Sequence, residues 1–72
     1  MNSPTCLAIR VNGDAHRVTA GLNIAEMLIE LGVDPAKVAV ERNLEIVPRS
    51  TLGEVRVEDG DEFEIVHFVG GG

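Results

Sequence analysis

The chain has 72 residues, 12 acidic against 6 basic side chains and a formal net charge of −6, which bounds one small acidic domain with little room for both a core and a buried active site. That charge argues against binding to nucleic acid or anionic membrane, where basic patches supply the affinity, and no apolar run is long enough to span a membrane. The single cysteine, Cys6, excludes an internal disulfide and fits a reducing cytoplasm.

Met1 to Thr5 lack the charged and apolar regions of a secretion signal, so a cytoplasmic location is expected. Leu7, Ile9 and Val11 alternate with Ala8 and Arg10, the pattern of a strand with one apolar face. Asn12-Gly13 is the strongest short hairpin signal, because both central residues of a type I′ turn need positive φ. His16 to Thr19 read as the returning strand. A two-residue turn sets Val18 opposite Leu7 and His16 opposite Ile9, whereas a longer turn flips the faces. The short turn keeps Val18 on the apolar side.

The next segment carries a helix start. Asn23 caps it, Glu26 completes a capping box, and Leu22 with Met27 form a hydrophobic staple. Ile24, Met27, Leu28 and Leu31 share one stripe, which predicts a helix from Ile24 to Leu31. Gly32 supplies a left-handed stop, with Val33 folding back on Leu28. About two turns of helix need a sheet beneath them.

Asp34-Pro35 marks a turn or a single helical turn. Val38 to Glu41 form a third strand, Arg42 to Glu45 a turn, and Ile46-Val47 a short strand closed by Pro48 and therefore at an edge. Leu52 is the anchor of the connection that follows. Val55 and Val57 have strand spacing, but Glu58 to Asp61 turn the chain at once. The final strand runs from Glu62 to Val69, with Phe63 and Ile65 on one face and Glu64, Val66 and Phe68 on the other. The expected architecture is α+β: a four- to five-stranded mixed sheet with one helix on one face, in one domain spanning 1–72. The expected core is Leu7, Ile9, Ile24, Leu28, Leu31, Val38, Val40, Leu52, Phe63 and Ile65.

No set of residues pairs a nucleophile with its base. His16, His67 and Cys6 have no metal-site spacing, so no metal and no bound cofactor are expected. Both histidines read as partly exposed strand residues, and Cys6 as a small apolar residue at a strand start. Asp59 and Asp61 lack the other ligands of a calcium loop and read as turn residues. The acids from Glu54 to Glu64, like Glu26 and Glu30, read as solvated faces. Two features remain. Val66 and Phe68 point to the open side of the sheet, a docking site for a partner. Gly70, Gly71 and Gly72 then end the sequence, and such a tail offers a thin, flexible arm bearing the Gly72 carboxylate. A plain interaction domain with an inert tail is the bland alternative.

In this order and at this length, the residues resemble the ThiS family of sulfur carrier proteins. The likeness is carried by Val11-Asn12-Gly13, Leu31-Gly32, Val38-Ala39-Val40-Glu41, Ile46-Val47-Pro48-Arg49, Asp59-Gly60-Asp61, Glu64-Ile65-Val66 and Gly71-Gly72. Asn23 stands where the family usually opens its helix with threonine, and Gly70 extends the usual Gly-Gly ending. The resemblance implies a ubiquitin-like β-grasp fold and a carrier rather than an enzyme. An E1-like, ThiF-type adenylyltransferase would use ATP to adenylate the Gly72 carboxylate. A persulfide donor would convert it to a thiocarboxylate, and a ThiG-type thiazole synthase would take the sulfur for the thiazole of thiamine. Two related roles also fit: a molybdopterin synthase small subunit, whose usual proline-containing segment Val66-His67-Phe68-Val69 lacks, and a ubiquitin-like protein modifier.

Overall fold

The computed structural model describes residues 5–68. Five strands and one helix follow in the order β1 (Cys6–Val11), β2 (Asp14–Thr19), α1 (Ile24–Glu30), β3 (Val38–Arg42), β4 (Glu45–Val47) and β5 (Glu62–His67), with 3-10 turns at Pro35–Lys37 and Arg49–Thr51. The sheet order is β2-β1-β5-β3-β4. β1 and β5 are parallel at its centre, and the other pairs are antiparallel. This mixed sheet with one helix across a single face is the β-grasp arrangement. Among the described residues no helix is long and apolar enough to cross a membrane.

The first hairpin follows the short turn. Asn12 and Gly13 both have positive φ, 50° and 87°, and Leu7 pairs with Val18 and Ile9 with His16. Both strands start earlier than the apolar pattern marks, because ladder pairing continues through polar residues.

The helix is fixed at each end by identifiable bonds. Asn23 Oδ1 accepts the Glu26 N–H at 2.8 Å, and Glu26 Oε1 accepts the Asn23 N–H at 3.0 Å. The Ile24 and Ala25 N–H groups, which have no partner inside the helix, donate to the carbonyls of Val55 and Leu52. The connection after β4 therefore completes the helix start, and Leu52 and Val57 are buried to hold it there. At the far end Gly32 has φ 83°. Its N–H donates to Ile29, and that of Val33 to Leu28, the Schellman pattern. The helix stops at Glu30, one residue short of the expected end, and Leu31 is its cap. Leu31 is consequently half-buried at the margin of the core rather than inside it.

The other nine expected core residues are buried, joined by Val18, Met27 and Val57. Met27 lies on the predicted helical stripe. Val57 is buried although its segment forms no strand; Arg56 makes only a single bridge to Asn23. β5 ends at His67, so the expected extension to Val69 lies outside the described residues.

Asp61 departs from the sequence reading. It is 5% exposed, not part of a solvated acidic face. Its carboxylate accepts hydrogen bonds from Arg42 Nε at 2.9 Å, the Glu58 N–H at 2.9 Å and Asn43 Nδ2 at 3.2 Å. Those partners come from β3, the β3–β4 turn and the turn before β5, so one buried charge ties three segments together. Removing it leaves a half-buried guanidinium and a main-chain donor without their acceptor. Asp61→Ala is expected to lower stability by about 2–3 kcal/mol in urea unfolding, with Asp61→Asn intermediate because the amide keeps one acceptor. A change within about 0.5 kcal/mol for the alanine variant would show that the cluster is dispensable.

Glu30 also does more than face solvent. Its carboxylate accepts the Thr19 N–H and the Thr19 hydroxyl, both at 2.8 Å, tying α1 to the end of β2. These bonds hold its pKa below the ordinary glutamate value. The contribution is complete above the unfolded-state pKa and is lost as pH falls through the lower folded-state value. Wild type is therefore expected to be more stable than Glu30→Gln at neutral pH, with the gap closing in acid. A gap that stays constant down to about pH 2 would refute the ionised bond.

Candidate functional site

β5 lies between β1 and β3, and Phe68 follows it directly. Phe63 and Ile65 point inward to the helix and are buried, 2% and 7% exposed. Alternation then puts Glu64 and Val66 on the open face. Val66 is 61% exposed, on the side that the sequence pattern assigns it, and Phe68, the residue after the strand, is 54% exposed. Gly70, Gly71 and Gly72, the remaining residues of the expected site, lie outside the described residues.

Register brings further apolar residues to Val66. Ala39 is its partner across β3, and Ile46 is the partner of Glu41 on the same face. Ile46 is 78% exposed. The open face therefore has an apolar corner of Ala39, Ile46 and Val66, with Phe68 next to it at the strand exit, while Ala8, Arg10, Glu41, Glu62 and Glu64 occupy the rest of that face on β1, β3 and β5. The sequence reading missed the contribution of Ile46. Its signal lay in strand register, which a three-residue edge strand does not reveal by periodicity.

Phe68 also differs from a simple open-face residue. It lies past the end of β5, where its N–H donates to the Lys37 carbonyl at 3.0 Å. The Arg49 guanidinium carbon sits 5.1 Å from its ring centroid, within cation–π range. The ring, Ile46, Val47, Pro48 and Leu52 help line an apolar groove around the β4 edge. Arg49 thus places one positive charge beside the exposed aromatic at the exit of the last strand.

The β3–β4 turn is strained where the sequence shows only an ordinary loop. Asn43 and Leu44 both have positive φ, 52° and 72°. Asparagine tolerates this region, but leucine does so at a cost of about 1–2 kcal/mol. Leu44 is 89% exposed, so burial does not offset that cost. Asn43 Oδ1 accepts the Glu62 N–H at 3.0 Å, and the Asn43 N–H donates to the Glu62 carbonyl at 2.7 Å, which hold the turn against the start of β5.

The remaining candidate groups do not assemble. His16 and His67 are exposed on separate strands. Cys6 is half-buried and accepts a bond from Arg17 Nη1 at 3.1 Å. Among the described residues no cluster of His, Cys, Asp and Glu is arranged to hold a metal ion.

The model of the ThiS family matches residues 9–72. The chain is 55% identical over 62 residues to a thiazole synthase of Paramagnetospirillum magneticum, covering 86% of this chain and 19% of that protein. It thus spans about a fifth of the length of the thiazole synthases it matches. It is 45% identical over 49 residues to the sulfur carrier protein ThiS of Bacillus subtilis, covering 68% of this chain and 74% of that one. The crystal structure of the thiamine biosynthesis protein ThiS from Geobacter metallireducens superposes with a TM-score of 0.75 at 36% identity, over 92% of this chain and 100% of that one.

Burial gives the two phenylalanines different roles. Phe63→Ala is expected to cost about 3–5 kcal/mol through cavity formation. Phe68→Glu is expected to change stability by less than about 1 kcal/mol, because the ring is half exposed. Thermal and urea unfolding of both variants check the assignment; a collapse of the Phe68 variant would place that ring in the core.

Proposed function

The chain belongs to the ThiS family, and from that membership we propose that it is a sulfur carrier whose Gly72 carboxylate becomes a thiocarboxylate for thiamine thiazole formation. The observation that carries the reading is that the family match extends through the glycine tail to residue 72. Its relatives named thiazole synthase support thiazole over the molybdopterin and protein-modifier roles.

An α-carboxylate has a pKa of about 3.5 and is an anion at neutral pH, so it resists nucleophilic attack. A ThiF-type, E1-like adenylyltransferase supplies the missing leaving group. The carboxylate oxygen attacks the α-phosphorus of ATP and pyrophosphate leaves. The terminal sulfur of a donor persulfide then attacks the acyl carbon and AMP leaves. A thiol cleaves the resulting S–S bond and frees the thiocarboxylate. A ThiG-type thiazole synthase consumes it. Catalytic groups belong to these partners, in the cytoplasm, and the carrier binds no cofactor of its own.

The carrier supplies shape. Gly70 and Gly71 have no side chains to obstruct a narrow cleft. Val66 and Phe68, with Ile46 and Ala39, offer an apolar docking corner next to the tail. An exposed aromatic in such a corner is a common centre of binding energy.

With the adenylyltransferase, ATP and a persulfide donor, intact mass is expected to show one oxygen replaced by sulfur, with fragmentation placing it at Gly72. One residue added after Gly72 is expected to abolish the change, since displacements of about 1 Å can cost two orders of magnitude in rate. Phe68→Glu is expected to weaken adenylyltransferase binding at least about tenfold. Sulfur on Cys6 instead, or equal modification of the extended chain, overturns the reading.

A further inference from the structure

The flank of β5 that faces β1 changes character at Asn12. In a strand, successive residues direct their N–H and C=O groups to opposite sides. The Asn43 N–H reaches the Glu62 carbonyl, and the Phe68 N–H reaches the Lys37 carbonyl. Glu62, Glu64, Val66 and Phe68 therefore address the β3 side, and Phe63, Ile65 and His67 address the β1 side.

On that side Phe63 is met by main chain: the Asn12 N–H donates to its carbonyl at 2.8 Å. Ile65 is met by a side chain. Asn12 Oδ1 accepts the Ile65 N–H at 2.8 Å, and Asn12 Nδ2 donates to the Ile65 carbonyl at 3.1 Å. The amide copies the carbonyl and the N–H that a continued β1 would present to Ile65. Gly13 then turns the chain into β2, which lies on the far side of β1. The N–H and C=O of His67 consequently point past the hairpin, to a flank where no described strand lies.

We propose that this flank is a main-chain docking edge, where an extended segment of the adenylyltransferase pairs with His67. A carbonyl of that segment accepts the His67 N–H, and an N–H of it donates to the His67 carbonyl. The inference rests on the carrier reading above. A second copy of this chain fits poorly. Among the described residues only His67 is open on this flank, which is too short for a symmetric strand pair, and both copies carry a charge of −6. The adenylyltransferase has a reason to grip here. It has to guide the four residues after Phe68, which reach about 13 Å when extended, and a bond pair at His67 sets their direction at the last strand residue. Asn12 keeps the edge this short, which also limits unwanted strand addition.

Amide exchange read residue by residue tests this in the free carrier and in its complex with the adenylyltransferase. Ile65 is expected to exchange slowly in both states. His67 is expected to exchange fast in the free carrier and at least about tenfold more slowly in the complex. A fully synthetic carrier with an ester in place of the His67 N–H is expected to bind about three- to tenfold more weakly than the all-amide synthetic chain. Fast exchange at His67 in a complex that still yields thiocarboxylate overturns the docking edge and leaves the carrier reading intact. Absence of both complex and thiocarboxylate removes the carrier reading, and the edge with it. Slow exchange at His67 in the free carrier that strengthens with its concentration assigns the flank to a second copy and overturns the proposal.

Discussion

The parallel contact between β1 and β5 is only two residue pairs long, Arg10 with Glu62 and Val11 with Phe63, yet it joins the β1–β2 hairpin to the β5-β3-β4 half of the sheet. Groups from outside the strands lengthen it at both ends. At one end Asp59 Oδ1 accepts the Ala8 N–H at 2.8 Å, and the Gly60 N–H donates to the Ala8 carbonyl at 2.7 Å. At the other the Asn12 amide meets Ile65. Buried Ile9, Phe63, Ile65 and Leu28 then hold the seam from the helix side. The position of β5 relative to the β1–β2 hairpin depends on these few bonds and on that packing.

What the sequence reveals is what is local. The Asn12-Gly13 turn, the Asn23–Glu26 box and the Gly32 stop each declare themselves within four residues, and each forms as its chemistry requires. The alternation of Phe63, Ile65 and Val66 likewise needs only period 2. The contributions that escape are those whose partner is distant in the chain. Asn12 reads as a turn residue, and its second role toward Ile65 crosses 53 positions. Asp61 looks like its neighbour Asp59, and only the arrival of Arg42 and Asn43 makes it a buried charge. Ile46 joins Val66 through register alone. Leu44 gives no warning of positive φ, because leucine is an unusual choice there.

The acidic composition acquires a second meaning in the same way. Glu26, Glu30, Asp34, Asp59 and Asp61 each accept a main-chain N–H, at Asn23, Thr19, Ala36, Ala8 and Glu58. Five of the 12 acids are therefore structural acceptors at helix starts, turns and strand ends. A domain this small has few buried contacts, so local caps form an unusually large part of what fixes its connections. The net charge of −6 is in part a consequence of that capping rather than a feature selected only for partners or solubility.

The grip on β5 weakens toward its end in an ordered way. Phe63 is held by main chain on its β1 flank, Ile65 by a side chain, and His67 by no described strand. The β3 flank persists longer, through the bond from Phe68 to Lys37, and Arg49 stacks on the Phe68 ring from the β4 side. On the inward face burial follows the same gradient, from buried Phe63 and Ile65 to exposed His67. The proposed carrier role needs this combination. Its handle has to be rigid enough to dock in one orientation, while the last residues before the reacting group have to exchange contacts with their own domain for contacts with a partner. A strand anchored on both flanks to its end would resist that exchange. One released at Phe63 would lose the inward packing of Ile65 and, with it, a defined apolar corner around Val66.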